Sequence, residues 1–130
     1  MKSNSILLGA AIYKHLNEDD EIIKKIDGRI FPITVTNPDT PMPFVVYSRT
    51  SIVPEYAKDD LVSEVVNMDF IVVSRDYTES VEVAAALRNS LELKSGMVDD
   101  IIIRRIELDT VEENWYANTY WQILKFKFYI

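Results

Sequence analysis

The chain has 130 residues, no cysteine and one histidine, His15, and its 21 acidic and 14 basic side chains give a formal charge of −7. This length fits one domain, residues 1–130, which buries roughly two-thirds of the surface its unfolded chain exposes and needs no staple. The composition excludes disulfides, thiolate metal sites, a thiol nucleophile and a multi-histidine zinc site within one chain, and the acidic balance argues against wrapping nucleic acid, which needs concentrated Lys and Arg.

Met1 to Ser5 precede an eight-residue apolar run, Ile6 to Tyr13, that passes straight into Lys14-His15. With no small-residue cleavage pattern, this reads as an amphipathic helix from about Ser5 to Leu16 and not as a signal peptide, with Ser3 or Ser5 as its cap. No stretch approaches the ~20 apolar residues of a membrane span. A second helix follows, with Asn17 as cap, Asp19, Asp20 and Glu21 on the positive end of its dipole, Ile22, Ile23 and Ile26 as its apolar face, and Gly28 ending it in a left-handed conformation.

From Pro32 to Pro43 runs an extended connection with four prolines, Pro32, Pro38, Pro41 and Pro43. Proline removes donors and fixes φ, so the segment is neither a helix nor a central strand. A connection this long is either a contact-making arm, with Pro38, Pro41 and Met42 as contact residues, or a plain surface loop.

Phe44 to Val53 reads as a strand, with Val45, Tyr47 and Arg49 opposite Phe44, Val46 and Ser48. A polar connection holding Pro54 and Tyr56 leads to a second strand, about Val62 to Ser74, with Val66, Met68, Phe70 and Val72 on one face. Asp76 with Glu79 resembles a capping box, against Thr78 as a rival cap. The helix that follows, about Thr78 to Leu93, buries Val83, Ala84, Leu87 and Leu91 at helical spacing. Gly96 marks a turn into Val98 to Leu108, dense in β-branched residues. Glu107 to Asn118 is polar and reads as a hairpin tip. The last strand, Thr119 to Ile130, alternates Leu124, Phe126, Phe128 and Ile130 against Lys125, Lys127 and Tyr129. The expected fold is α+β: a four-stranded, mainly antiparallel sheet of two hairpins, with the N-terminal helices and one central helix packed on one face.

The sequence carries no catalytic signature. Its three glycines, Gly9, Gly28 and Gly96, are isolated, which excludes phosphate-cradling and dinucleotide fingerprints. No cofactor or metal site is expected, and Asp99-Asp100 fits a turn better than an acid–base pair. The aromatic groups are more informative. Tyr120 and Trp121 read as core aromatics at the base of the last hairpin. Trp115 and Tyr116 read as an anchor for a protein partner, since Tyr and Trp are enriched in interface hot spots.

Two motifs then resemble a known family. Gly28-Arg29-Ile30-Phe31-Pro32 is similar to the "G-R-I-y-P" element of phage tail-completion (tail-to-head joining) proteins, and Pro43-Phe44-Val45-Val46-Tyr47 to their "P-[YF]-V-V-Y" element. A strand at Val66 to Val73, an alanine-bearing helix at Tyr77 to Leu91, an "E-x-D" at Glu107-Leu108-Asp109 and an aromatic-rich final strand follow in the family's order. The loop after Asp109 departs from the expected pattern.

The resemblance implies a structural subunit of a long-tailed phage or prophage, similar to tail terminators. Such a subunit assembles with itself as a ring, typically a hexamer, and caps the tail tube and joins it to a head-connector protein. DNA passes through without specific binding, and an acidic lumen would not hold its phosphates. The implied location is the virion tail, reached from the host bacterial cytoplasm, with no enzymatic activity. The contact residues expected on this reading are Pro38, Pro41, Met42, Pro54, Tyr56, Trp115 and Tyr116. The alternative is a small-ligand-binding or regulatory ferredoxin-like domain using Arg104, Arg105 or Tyr47.

Overall fold

The computed structural model describes residues 4–130. Helix α1 is Asn4–Leu16, with Leu8, Ala11, Ile12 and Leu16 forming its buried stripe at helical spacing. Ser5 lies inside this helix and is buried, so it is no cap, and Ser3 lies outside the described residues. Helix α2 is Asp20–Ile26. Its cap is Asp19 and not Asn17, because the Asp19 carboxylate accepts from the Glu21 and Ile22 N–H groups. Asp27 and Gly28 end the helix together, with φ of 49° and 77°. Ile22 and Ile26 are buried, while Ile23 turns toward solvent.

The sheet has five strands where the sequence suggests four. The additional one is β1, Ile30–Pro32, which lies parallel to the start of β2, Phe44–Ala57. Strand β3 is Asp60–Ser74, and the order across the sheet is β1-β2-β3-β7-β6, with β6 at Arg105–Tyr116 and β7 at Thr119–Tyr129. All pairings beyond β1–β2 are antiparallel. A short β-strand is hard to see in sequence when a proline ends it and its hydrophobic pattern is only three residues long.

Both expected tips prove to be mostly strand. Chain expected to connect, from Pro54 onward, continues β2 through Ala57, leaving only Lys58 and Asp59 as the turn. Likewise Glu107 to Tyr116 lies within β6, and the turn is Ala117-Asn118, both in the left-handed region as a two-residue hairpin turn requires. Polarity on both faces misleads here, because an edge strand projecting past the core buries neither face. Val98 to Leu108 is broken instead. Asp99 and Asp100, both at positive φ, turn β4 (Gly96–Val98) back on β5 (Ile101–Ile103) before β6 begins.

Helix α3, Tyr77–Leu91, is capped by Asp76, whose carboxylate accepts from the Glu79 N–H, so Thr78 loses the competition. Its Val83, Ala84, Leu87 and Leu91 join α1, α2 and one face of the sheet in a single core around Phe70, Phe126 and Phe128. Phe70 packs edge-on against Phe126 at 5.7 Å. Burying such a side chain contributes about 1.5–3 kcal/mol. His15 serves packing and polar satisfaction, its Nε2 lying 3.2 Å from the Ser90 hydroxyl across α1 and α3.

Candidate interaction surfaces

The two motifs that resemble the tail-completion family meet in space. Arg29 Nε donates to the Pro43 carbonyl at 2.9 Å, and the Val45 N–H donates to the Arg29 carbonyl at 2.9 Å. Ile30 then pairs with Val45 and Pro32 with Tyr47, while Phe31 sets its ring edge-on to Phe44 at 6.2 Å. One motif is therefore the short parallel strand and the other the strand it rests on. They form a single joint at the border of the sheet.

Directly after this joint the chain is turned away. The Thr34 N–H donates to the Pro32 carbonyl at 2.7 Å around Ile33, whose φ is 68°. A β-branched residue in a three-residue turn of this hand is strained, and Ile33 is also 72% exposed. The chain then runs as a mostly exposed arm to the buried Pro43. Within it, Asn37 makes a local turn by accepting from the Asp39 N–H through its side chain and from the Thr40 hydroxyl through its carbonyl. Pro38 and Pro41 are exposed on this arm and Met42 is half-buried.

Pro54 and Tyr56 lie elsewhere. Strand β7 stops opposite Val65, and Ile130 exchanges its last backbone bonds with Glu64. Past that row β2 and β3 continue as a two-stranded projection in which Tyr56, Leu61 and Val62 are exposed, with exposed Val53 at its base. The sequence misses Leu61 and Val62 as surface residues. A readable signal is there, since apolar Leu61 and Val65 fall on the opposite face from Val66, Met68 and Phe70.

The β6–β7 hairpin points the opposite way. Its end lies beside Ser74, at the far end of β3 from Lys58-Asp59. Trp115 is 54% and Tyr116 65% exposed, and each rests on the next strand, Trp115 on Tyr120 at 4.8 Å and Tyr116 on Trp121 at 5.8 Å. Tyr120 and Trp121 are half-buried. The row Phe44–Val73–Trp121–Asn114 puts the arm and this aromatic end at the same end of the sheet but on opposite borders. Of the seven expected contact residues, five therefore share one end, and Pro54 and Tyr56 occupy the other.

The face of the sheet away from the helices has a polar middle. Lys125 pairs with Glu112 at 3.3 Å, and Glu107 accepts from the Tyr129 hydroxyl at 2.9 Å and pairs with Arg105. The Tyr129 bond, with Arg105 beside it, holds the Glu107 carboxyl below the usual carboxylate range. Asp69, in the same band, is pushed up by its partial burial despite Lys125. At the base of the aromatic end Gln122, buried, donates to Glu113 at 2.9 Å and to the Ser80 hydroxyl at 3.3 Å.

Among the described residues no three His, Asp or Glu side chains converge as a metal site. Tyr47 and Arg104 border different open clefts, one between α1 and β1–β2 and the other beside the β2–β3 projection. Arg105 is held by Glu107 on the open face of the sheet. The three do not form one pocket.

Over residues 10–127 the sequence matches the family described as tail completion protein gp17. The chain belongs to that family. No curated protein sequence matches it. In structure it is similar to a chain of the "Virion of native gene transfer agent (GTA) particle", with a TM-score of 0.84 over 99% of this chain and 98% of that one. The identity is only 13%, so this likeness speaks to the fold. For a tail-completion protein the fold offers two apolar ends and a joint, which are features of shape and surface.

Proposed function

We propose that this tail-completion protein is a non-enzymatic structural subunit of a long-tailed phage or prophage virion, which caps the tail tube and joins it to the head connector. It acts as one domain over residues 1–130 and assembles with itself as a ring, a hexamer by the family resemblance. The observation that carries the reading is the opposed pair of exposed apolar hairpin ends, around Tyr56 and Leu61 at one end and Trp115 and Tyr116 at the other. A joining subunit needs two contact surfaces facing apart, and aromatic side chains anchored on a rigid sheet suit that role. The virion likeness supports the setting. The charge of −7 supports passage of DNA without retention, because phosphates are not attracted to an acidic lining.

The test is to delete the exposed apolar end of each hairpin separately, rejoining its strands nearer the core with a new two-residue turn, in the phage or prophage and to image the particles. Expected are free heads and free tails with a normally folded subunit. Full-length infectious particles with both ends shortened would sink the proposal.

A further inference from the structure

The two borders of the sheet differ in how they are guarded against pairing with another chain. On the β2 border, β1 covers only Val45 to Tyr47, but beyond it Pro54 removes a backbone donor and two irregularities, at Arg49/Ser51 and Glu55/Tyr56, bend the strand. These are ordinary ways of blunting an edge. On the β6 border, Leu93 bonds the Ile106 carbonyl near the start of the strand. From Thr110 to Tyr116 the strand then runs in unbroken register with β7, with no proline or glycine and every residue exposed. A seven-residue edge of this kind is a ready template for an added strand.

Its charge limits what can be added. Asp109, Glu112 and Glu113 make two-fold pairing of β6 with another β6 unfavourable, since like charges would face each other across the strands. The partner strand must be uncharged or basic. The chain itself carries an uncharged run rich in β-branched residues outside its own strands, Ile33-Thr34-Val35-Thr36, in which the half-buried Val35 and the exposed Thr36 make no backbone hydrogen bond among the described residues. Such residues favour a strand. The strained turn at Ile33 holds this run off its own sheet edge.

We propose that the β6 edge of one subunit accepts the Thr34–Thr36 segment of a second copy, just past the Ile33 turn, as an added strand. Donor and acceptor lie on opposite borders of one sheet, so each copy gives one segment and receives one. This is a head-to-tail contact, which closes into a ring when its rotation allows. The inference rests on the self-association proposed above and names the surfaces that make it.

The absence of cysteine makes the test direct. The double variant Thr34→Cys/Glu112→Cys, treated with a short bis-maleimide, should give a ladder of covalent multimers. A mixture of the two single variants should give heterodimers, and neither single variant alone should cross-link. Thr36→Glu should weaken self-association measured by sedimentation, and Thr36→Lys should strengthen it. Homodimers from Glu112→Cys alone would overturn the proposal in favour of β6–β6 pairing. Rings seen by electron microscopy without a ladder would overturn the arm contact and leave the ring standing. Failure to self-associate, alone and on tail tubes, would overturn both.

Discussion

The Tyr77 hydroxyl donates to the Glu113 carboxylate at 2.6 Å, tying the first turn of α3 to the edge strand β6. Glu113 also accepts from Gln122, and these two donors, Tyr77 first, hold its carboxyl below the ordinary range while raising the Tyr77 phenol. A depressed carboxylate contributes stability above its unfolded pKa and loses it as pH falls through the folded value. Tyr77→Phe should therefore raise the Glu113 pKa in a carboxyl NMR titration. It should lower stability at neutral pH, and the deficit should vanish in acid.

Gln122 is buried and bridges Glu113 to the Ser80 hydroxyl. Gln122→Ala leaves a small cavity and removes two bonds, and urea denaturation should show a loss of about 1–3 kcal/mol. Gln122→Glu would place a second carboxylate beside Glu113 and should be worse at neutral pH than at acid pH.

Asp76 and Asp19 each accept backbone N–H bonds at a helix start, whereas Thr78 and Asn17 do not. Asp76→Ala should cost about 1 kcal/mol by thermal or chemical denaturation, and Thr78→Ala close to nothing. Equal losses from the two would mean that the cap is misassigned.

Phe70 is fully buried between Phe126 and Tyr47, and Phe70→Ala should cost about 3–5 kcal/mol, enough to unfold much of a marginally stable chain. Trp115→Ala with Tyr116→Ala should change stability by no more than about 1 kcal/mol, because both side chains are largely exposed. On the proposed function that pair should still abolish head–tail joining in a particle-assembly assay.

Ile33→Gly should stabilise the isolated subunit, measured as a raised Tm, since glycine adopts a φ of 68° without strain. Because the Ile33 turn presents the arm, the variant should also self-associate less well.

Much of the fold is legible in the sequence because its signals are periodic and agree. Val66, Met68, Phe70 and Val72 alternate, Leu124, Phe126 and Phe128 alternate, and Val83, Ala84, Leu87 and Leu91 recur at helical spacing, and each set is buried as a unit. What escaped was set by tertiary position. Ile30–Pro32 is a strand only because Pro43 to Tyr47 offers it a border, and Thr110 to Tyr116 stays extended without burial because β7 pairs with it throughout. Capping by Asp19 and not Asn17 was decided by one to two residues, finer than a helix start can be read. Among the candidate contacts, Pro38, Pro41, Pro54, Tyr56, Trp115 and Tyr116 are exposed. The opposite placement of Tyr56 from Trp115 follows from strand order, which no local pattern contains.

The opposed hairpins also have a mechanical consequence. The β2–β3 hairpin and the β7–β6 hairpin point in opposite directions and are joined along the β3–β7 seam, which is paired from Val65–Tyr129 to Ser74–Tyr120. A pull applied between the Lys58-Asp59 turn and the Ala117-Asn118 turn runs along the strands and loads that seam in shear. Its rows must then give way together, whereas a pull across the strands would peel them one at a time. A subunit gripped at these two ends resists extension most strongly along the line between them.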